Sequence, residues 1–344
     1  MPTKTSHSAV LVLGVCAFPW CFALCVAMGV SRQCQRLLSS LLGLRKSLTP
    51  IPRSSARLVI LIPSYNVENT IGRALRGCLA DPLTSLIVVV DGGSTDSTIE
   101  AAHAAATAAD DAAPPGSNSR FASRRVVVVK APPGTSGRAN CLNYAARVAA
   151  DHGDDGLPGG ADGGSSSSSD AVLVSLHADT VLPEGFGSDV ADSLADGNAA
   201  VGSFRIYTKG VRDGPTLGGR LVGLIANTLN NVRSVWMETP YGDQALFCTR
   251  SCFEAVGGYP PVPLMEDSAF VWAARKHGTV AIAKTCVCSF ASPQWAAMGA
   301  LYVCRNYLFL CAWAIGAVAP EALHRFYYPG RNIPAAIRYA DIQL

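Results

Sequence analysis

The stretch Val172-Leu173-Val174-Ser175-Leu176-His177-Ala178-Asp179-Thr180 is an apolar, β-branched run that ends on a histidine and a carboxylate. A run of this kind reads as a buried strand. Polar groups at its carboxyl end sit where open α/β sheets bind their ligands. An ordinary strand and turn would show the same pattern, so the reading depends on whether other segments repeat the design. Three do. Residues 58–62 form an apolar run stopped by Pro63, residues 86–90 one that ends on Asp91-Gly92-Gly93, and residues 126–129 one closed by Pro132-Pro133-Gly134. Each run is followed by a helical stretch. The first is capped by Asn69 or Thr70 and ends near Leu79, the second is Ala-rich and capped near Ser94 or Thr95, and the third covers residues 137–150. Strands alternating with helices predict an α/β, Rossmann-type sheet, mostly parallel, with helices on both faces.

Further along, the pattern loosens into a helix over 186–195, a strand over 199–207, a long helix over 216–233, a short strand over 245–248, a helix opening at Met265-Glu266-Asp267, and a strand over 280–283. Residues 151–170 carry too little apolar surface to offset ordering entropy and read as a disordered surface insertion. Residues 295–319 form an apolar helical segment interrupted by Arg305 and Asn306, which suits a helix lying in a membrane interface.

Of the 344 residues, 49% are hydrophobic and 15% charged, with a net charge of +3. That balance suffices for one large core or two smaller ones. It argues against a nucleic-acid binder, because no Lys/Arg stripe interleaved with aromatics occurs. The 12 cysteines lack metal-ligand spacing with histidines in register and read as small buried hydrophobes in a reducing compartment.

Residues 10–30 are almost all apolar, and as a helix they would match the roughly 30 Å hydrocarbon core of a bilayer. A membrane anchor, a cleaved signal peptide and an organelle-targeting segment compete for this run. Arg32, Arg36, Arg45, Lys46, Arg53 and Arg57 follow it and precede the first acidic residue, Glu68, which favours an anchor with the following domain on the cytosolic side. The Ser- and Arg-rich residues 31–57 also suit a transit peptide for import into a plastid or another organelle. The expected organisation is therefore an N-terminal hydrophobic anchor or targeting segment with a basic linker over 1–57, a folded domain over 58–330, and a tail over 331–344.

The candidate functional residues collect at the carboxyl ends of the four strands: Pro63-Ser64-Tyr65-Asn66, Asp91-Gly92-Gly93-Ser94, Arg138 after the Pro-Pro-Gly turn, and His177-Ala178-Asp179. A dinucleotide enzyme would carry G-x-G-x-x-G after the first strand. Ser64-Tyr65-Asn66 stands there instead, which argues against a nicotinamide dehydrogenase. A carboxylate beside a diphosphate is repelled by about 4 kcal/mol at roughly 4 Å and an effective dielectric of about 20. A divalent cation, Mg²⁺ or Mn²⁺, removes that repulsion because hard cations take carboxylate and phosphate oxygens together.

Leu61-Ile62-Pro63 with Asn66, Val90-Asp91-Gly92-Gly93-Ser94-Thr95-Asp96, Leu176-His177-Ala178-Asp179-Thr180, Pro240-Tyr241-Gly242-Asp243-Gln244 and Pro263-Leu264-Met265-Glu266-Asp267 follow one another in this order. In that order and approximate spacing the chain resembles family 2 glycosyltransferases of the GT-A fold, most closely a bacterial-type subgroup linked to arsenosugar biosynthesis. The resemblance spans residues 58–330, and Leu323-His324-Arg325-Phe326-Tyr327-Tyr328 also looks like that subgroup's C-terminus.

The resemblance implies metal-assisted, inverting transfer of a sugar from a nucleotide-diphospho sugar to an acceptor hydroxyl. Pro63, Tyr65, Asn66, Asp91, Gly92 and Gly93 would hold the nucleoside. Asp179 would bind the metal that bridges the diphosphate. His177 replaces the usual partner carboxylate, as a metal ligand or as a hydrogen-bond donor to sugar or phosphate. Asp267 would be the general base, and Glu266 would orient it or bind the acceptor. Tyr241, Gly242, Asp243 and Gln244 would form the acceptor loop, with Trp295 as a further contact. Gln294 stands where related enzymes carry an Arg, which leaves Lys130 or Arg138 to take that phosphate contact. The expected partners are a nucleotide-sugar donor, an unidentified acceptor and a membrane, without nucleic acid. Two rivals are a nucleotidyltransferase, which would release pyrophosphate, and a catalytically silent binding or scaffold protein.

Overall fold

The computed structural model describes residues 4–41, 48, 50–53, 55–111, 125–135, 137–152, 171–209, 217–290 and 300–342. Most of the low-complexity insertion expected over 151–170, and Gln294 and Trp295, lie outside these residues.

The elements run α1 (Lys4–Leu41), β1 (Arg57–Ser64), α2 (Ile71–Leu79), β2 (Thr84–Asp91), α3 (Thr98–Asp111), β3 (Arg125–Lys130), α4 (Arg138–Asp151), β4 (Ala171–Ser175), β5 (Thr180–Val181), α5 (Phe186–Leu194), β6 (Ala199–Lys209), α6 (Leu217–Trp236), β7 (Leu246–Thr249), α7 (Arg250–Val256), α8 (Glu266–Ala274), β8 (Thr279–Phe290), α9 (Ala300–Ala314) and α10 (Pro320–Tyr327). Short 3-10 turns lie at Gly242–Gln244 and Tyr339–Asp341.

Alternate side chains of β1 divide between two apolar layers, as the two-residue strand period requires. Leu58, Ile60 and Ile62 pack with Ile71 and Leu75 of α2, Ala102 of α3 and Phe186 of α5. Val59 and Leu61 pack on the opposite face with Ala145 of α4, Phe253 of α7 and Phe270 of α8. Both faces of the central strands are thus covered, which is why they read as continuous apolar runs rather than alternating ones. Each such aliphatic side chain contributes about 1.5–3 kcal/mol on burial.

The sheet has eight strands in the order β3-β2-β1-β4-β7-β6-β8-β5. Its order corrects the expectation of a mostly parallel sheet. β1 is parallel to β2 and β4, β2 to β3, and β6 to β8, whereas β7 is antiparallel to both β4 and β6, and β5 to β8. The fold is therefore mixed α/β. After α6 the chain returns to the sheet at the carboxyl end of β4, so β7 must run back along it, with Ser175 opposite Leu246. This reversal puts residues 241–245 beside the His177-Ala178-Asp179 tip.

Smaller expectations shift as well. The strand expected over 280–283 extends to Phe290. α3 begins only at Thr98, and Ser94 and Thr95 belong to the preceding loop. Thr70 occupies the N-cap of α2 without a side-chain cap bond. The segment after residue 330 packs on the domain, with Tyr339 in the second apolar layer.

Residues 10–30 lie within α1, but among the described residues no helix is long and apolar enough to cross a membrane. Cys21 and Cys25 pack with Ala226 and Met237 and with Tyr307, Leu310 and Cys311 of α9. Further along α1, Arg32 Nε and Arg36 Nη1 pair with the buried Glu238 carboxylate at 2.8 and 3.0 Å. The apolar segment expected over 295–319 appears as α9, followed at Pro320 by α10. The Arg305 guanidinium that interrupts it is buried among the rings of Tyr302, Phe309 and Tyr327. Its charge is taken up by protein rather than by a lipid interface.

Candidate active site

Strand register aligns the tips. Ser64 pairs with Asp91, Pro63 with Val90, Asp91 with Lys130, and Leu61 with Ser175. Asp91 is buried, and its Oδ2 accepts from the backbone N–H groups of Gly93 and Ser94 at 3.1 and 3.0 Å, while the Ser94 hydroxyl donates to Oδ1. Asn66 adopts φ 52°, in the left-handed region that Asn tolerates better than most residues. Its N–H donates to Ser94 Oγ at 2.9 Å and its Oδ1 accepts from the Thr95 N–H at 2.8 Å. The Gly92 N–H donates to the Ser64 carbonyl at 2.8 Å. The loops after β1 and β2 are thereby laced into one rim, above which the Tyr65 ring is 45% exposed.

Next to this rim is a cavity of about 610 Å³, lined by Arg138, His177, Asp179, Tyr241, Asp243 and Asp267 from the sequence-derived set. Tyr302, Asn306, Phe309, Tyr328 and Arg331 supply another part of its wall. Arg138 opens α4. Its Nε donates to Glu266 Oε1, its Nη2 lies 4.0 Å from Asp267 Oδ2, and its Nη1 lies 3.1 Å from His177 Nε2. A guanidinium has only donors, so His177 Nε2 accepts here and its Nδ1 carries the proton. Burial, and then the Arg138 charge, hold His177 well below the usual histidine pKa. It is a neutral ring whose Nε2 lone pair is spent on Arg138. In this arrangement the nitrogen that would ligate a metal is already engaged.

Asp179 follows β4, with the Thr180 hydroxyl 3.3 Å from its Oδ1, and burial raises its pKa. Asp243 is pushed up to about 6, chiefly by burial and further by Asp267 and Asp179, with Arg233 opposing the rise. Folded Asp243 keeps its proton to about pH 6, whereas an unfolded aspartate loses it near 3.8. Its charge therefore costs stability as pH rises across that window, and the cost is complete above it. Asp243→Asn is expected to melt above the wild type at pH 7.5 and level with it below pH 4. Parallel thermal-melting curves check this, and a pH-independent difference would refute it.

Asp267 stands in the first turn of α8, where Met265 at φ 68° turns the chain into the helix. Its Oδ2 accepts from the Gly242 N–H at 2.8 Å and its Oδ1 from the Ser268 N–H at 2.7 Å. Gly242 must lack a side chain, since a Cβ would lie 2.9 Å from His177 Nε2 and 3.4 Å from Asp267 Oδ2. Glu266 is buried against Arg138. Burial raises its pKa, and Arg138 opposes the rise. Gln244 is fully enclosed and spends its amide on structure: Oε1 accepts from Arg233, Ser234 and the Tyr241 N–H, and Nε2 donates to the Phe204 carbonyl.

The structure thus gathers Arg138, His177, Asp179, Tyr241, Asp243 and Asp267 at one cavity. It leaves Pro63, Tyr65, Asn66, Asp91, Gly92 and Gly93 on the adjoining rim. Lys130 is exposed at the end of β3 and is not among the cavity's lining residues. Two residues, Arg233 and Arg331, escaped the sequence reading. Arg233, on α6, is buried with its guanidinium 3.2 Å from the Tyr241 ring centroid. Glu238 anchors the same loop to α1, and Arg331 lies in what reads as a tail. The signal for the last was slight: a Pro-Gly turn directly after an aromatic pair.

A rim of laced loops and a carboxylate-lined cavity at the carboxyl edge of a mixed α/β sheet define an enzyme domain. Residues 59–247, more than half of the chain, match the family model described as Glycosyl transferase family 2. The chain belongs to that family and is a glycosyltransferase. No curated protein matches it by sequence. Among solved structures, a mannosyltransferase from Pyrobaculum calidifontis in complex with GDP-Man and Mn²⁺ is 18% identical, with 94% of this chain and 88% of that chain covered and a TM-score of 0.48. The S. aureus protein TarS is 12% identical, with coverages of 80% and 75% and a TM-score of 0.45. Glucosyl-3-phosphoglycerate synthase from Mycobacterium tuberculosis, solved with Mn²⁺, UDP and glucosyl-3-phosphoglycerate, is 15% identical, with coverages of 75% and 81% and a TM-score of 0.44.

Proposed function

We propose that this glycosyltransferase moves a sugar from a nucleoside-diphospho sugar to an acceptor hydroxyl, with inversion at the anomeric carbon. One observation carries the reading: Asp267, its carboxylate oriented by the Gly242 N–H, lines the same cavity as Asp179. A base and a second carboxylate at one cavity suit a displacement in which one takes the acceptor's proton and the other serves the donor's diphosphate end. The acceptor oxygen bonds to the anomeric carbon as that carbon's bond to the phosphate oxygen breaks. The acceptor proton passes to Asp267, and the electron pair leaves with the nucleoside diphosphate.

A divalent cation fits the donor set. Asp179 and Asp243 are acidic groups whose ionised forms burial disfavours, and a nearby cation relieves that cost. Among the described residues no group of three or more His, Cys, Asp or Glu could hold a metal. Mg²⁺ and Mn²⁺ commonly take one or two protein carboxylates and complete their shell with phosphate oxygens and water. Asp179, with Asp243 beside it, would hold the ion, which when bound neutralises charge on the departing diphosphate.

The test is to give the purified protein Mn²⁺ or Mg²⁺ and a panel of sugar nucleotides. Release of free nucleoside diphosphate supports the reading, release of pyrophosphate points to nucleotidyl transfer, and neither binding nor hydrolysis of any donor overturns it. We further propose that α1 attaches the enzyme to a membrane with the catalytic domain on the cytosolic side. The apolar run over 10–30 and the exposed Trp20, Phe22, Val26 and Val30 support this. Sequencing the mature N-terminus tests it, since cleavage within residues 31–57 would indicate organelle import instead.

A further inference from the structure

We infer that Arg331 is the guanidinium that grips the donor's diphosphate, an assignment that rests on the nucleotide-sugar reading above. A donor whose nucleoside sits on the Tyr65–Asn66–Asp91 rim and whose sugar enters the cavity must cross the seam between them. Arg331 occupies that seam. Its guanidinium carbon lies 5.0 Å from the Tyr65 ring centroid on the rim side and 5.1 Å from that of Tyr328, which lines the cavity, as Arg331 does itself. Two ring faces fix the cation while leaving its N–H edge for other partners.

The segment that carries Arg331 is held on both sides. The Arg331 N–H donates to the Tyr328 carbonyl at 3.1 Å, and Asn140 Nδ2 donates to the Ala335 carbonyl at 2.8 Å. Pro334 crosses directly over Gly137, at φ 105°, where a Cβ would lie 2.6 Å from the proline ring. The strap from residue 328 to 339 therefore runs across the mouth of the β3–α4 turn and ends with Tyr339 in the core.

Charge accounting points the same way. The cavity lining holds three carboxylates, Asp179, Asp243 and Asp267, and two guanidinium groups, Arg138 and Arg331. Arg138 is committed to Glu266, Asp267 and His177. Arg331 forms no ion pair among the described residues. A planar guanidinium with two donor edges matches paired phosphate oxygens.

The experiment measures binding of UDP, GDP, ADP, CDP and dTDP and of their nucleosides, with Mg²⁺ present, to the wild type, Arg331→Ala and Arg331→Lys. Arg331→Ala is expected to weaken whichever diphosphate binds by about 10- to 100-fold, with the matching nucleoside unchanged. Arg331→Lys should recover part of that loss, since an ammonium keeps the charge without the fork. An unchanged diphosphate affinity in Arg331→Ala overturns the assignment. So does an equal loss for nucleoside and diphosphate, which would make Arg331 a support for the strap. A wild type that binds none of these diphosphates overturns the nucleotide-sugar reading itself.

Discussion

Asp267→Asn is expected to lower sugar transfer by about 10²–10⁴ and to leave donor affinity within about twofold of the wild type. The substitution keeps the shape of the side chain and an oxygen for the Gly242 or Ser268 N–H, so the turn before β7 and the start of α8 lose little. What it removes is the capacity to take the acceptor's proton. Glu266 cannot deputise, because it is buried against Arg138 rather than lining the cavity. With the acceptor unidentified, turnover is read from donor hydrolysis, in which water is the acceptor. Donor affinity is read separately by calorimetry. A fall in affinity as large as the fall in turnover would assign Asp267 to donor binding instead.

The double substitution Arg32→Ala/Arg36→Ala is expected to cost about 2–3 kcal/mol of stability, because it takes two cations from a buried carboxylate and leaves it only the more distant charge of Arg275. Glu238 is 2% exposed, while Arg32 and Arg36 are 19% and 42% exposed. The asymmetry sets the sign of a companion experiment. Removing the carboxylate with Glu238→Gln frees two guanidinium groups that can hydrate, so that variant should lose distinctly less. Denaturant unfolding of both variants checks this, and a double variant within about 1 kcal/mol of the wild type would show that α1 does not hold the loop. Glu238 also adopts φ 50°, directly ahead of the Thr239–Asp243 segment. Donor hydrolysis in the double variant should therefore fall below the wild-type rate even at temperatures where it is folded.

The parts of the fold legible from sequence are those set by local pattern. β1, β2, β3 and β4 are apolar runs ended by proline, glycine or a carboxylate, and each carries a polar tip to the same edge. The direction of β7 was not legible. Four residues, Leu246–Thr249, carry no mark of whether their neighbour runs with or against them, and only the route from α6 decides it. The site divides the same way. Asp179 and Asp267 are recoverable because each ends or begins an element at a recognisable motif. Gln244 reads as a ligand-facing polar residue but is enclosed by α6 and β6, and that enclosure is a tertiary fact. His177 was visible, but the Arg138 guanidinium that occupies its Nε2 comes from 39 residues earlier in the chain. The roles of Glu238, Arg233 and Arg331 depend on partners far away in sequence, and no local periodicity announces them.

The strap has a consequence for how the enzyme is made. Tyr339 fills the apolar layer beneath Val59 and Leu61, and the Asn140–Ala335 hydrogen bond joins residues 195 positions apart. Contacts of such separation form late, since the entropy of closing the loop must be overcome before they return anything. During synthesis β1 to β4 leave the ribosome long before Tyr339 exists, with part of their helix-facing layer still open to water. The nascent chain must therefore keep a half-covered sheet from finding other partners until the Tyr339 segment emerges, a stage at which exposed apolar surface calls for chaperones.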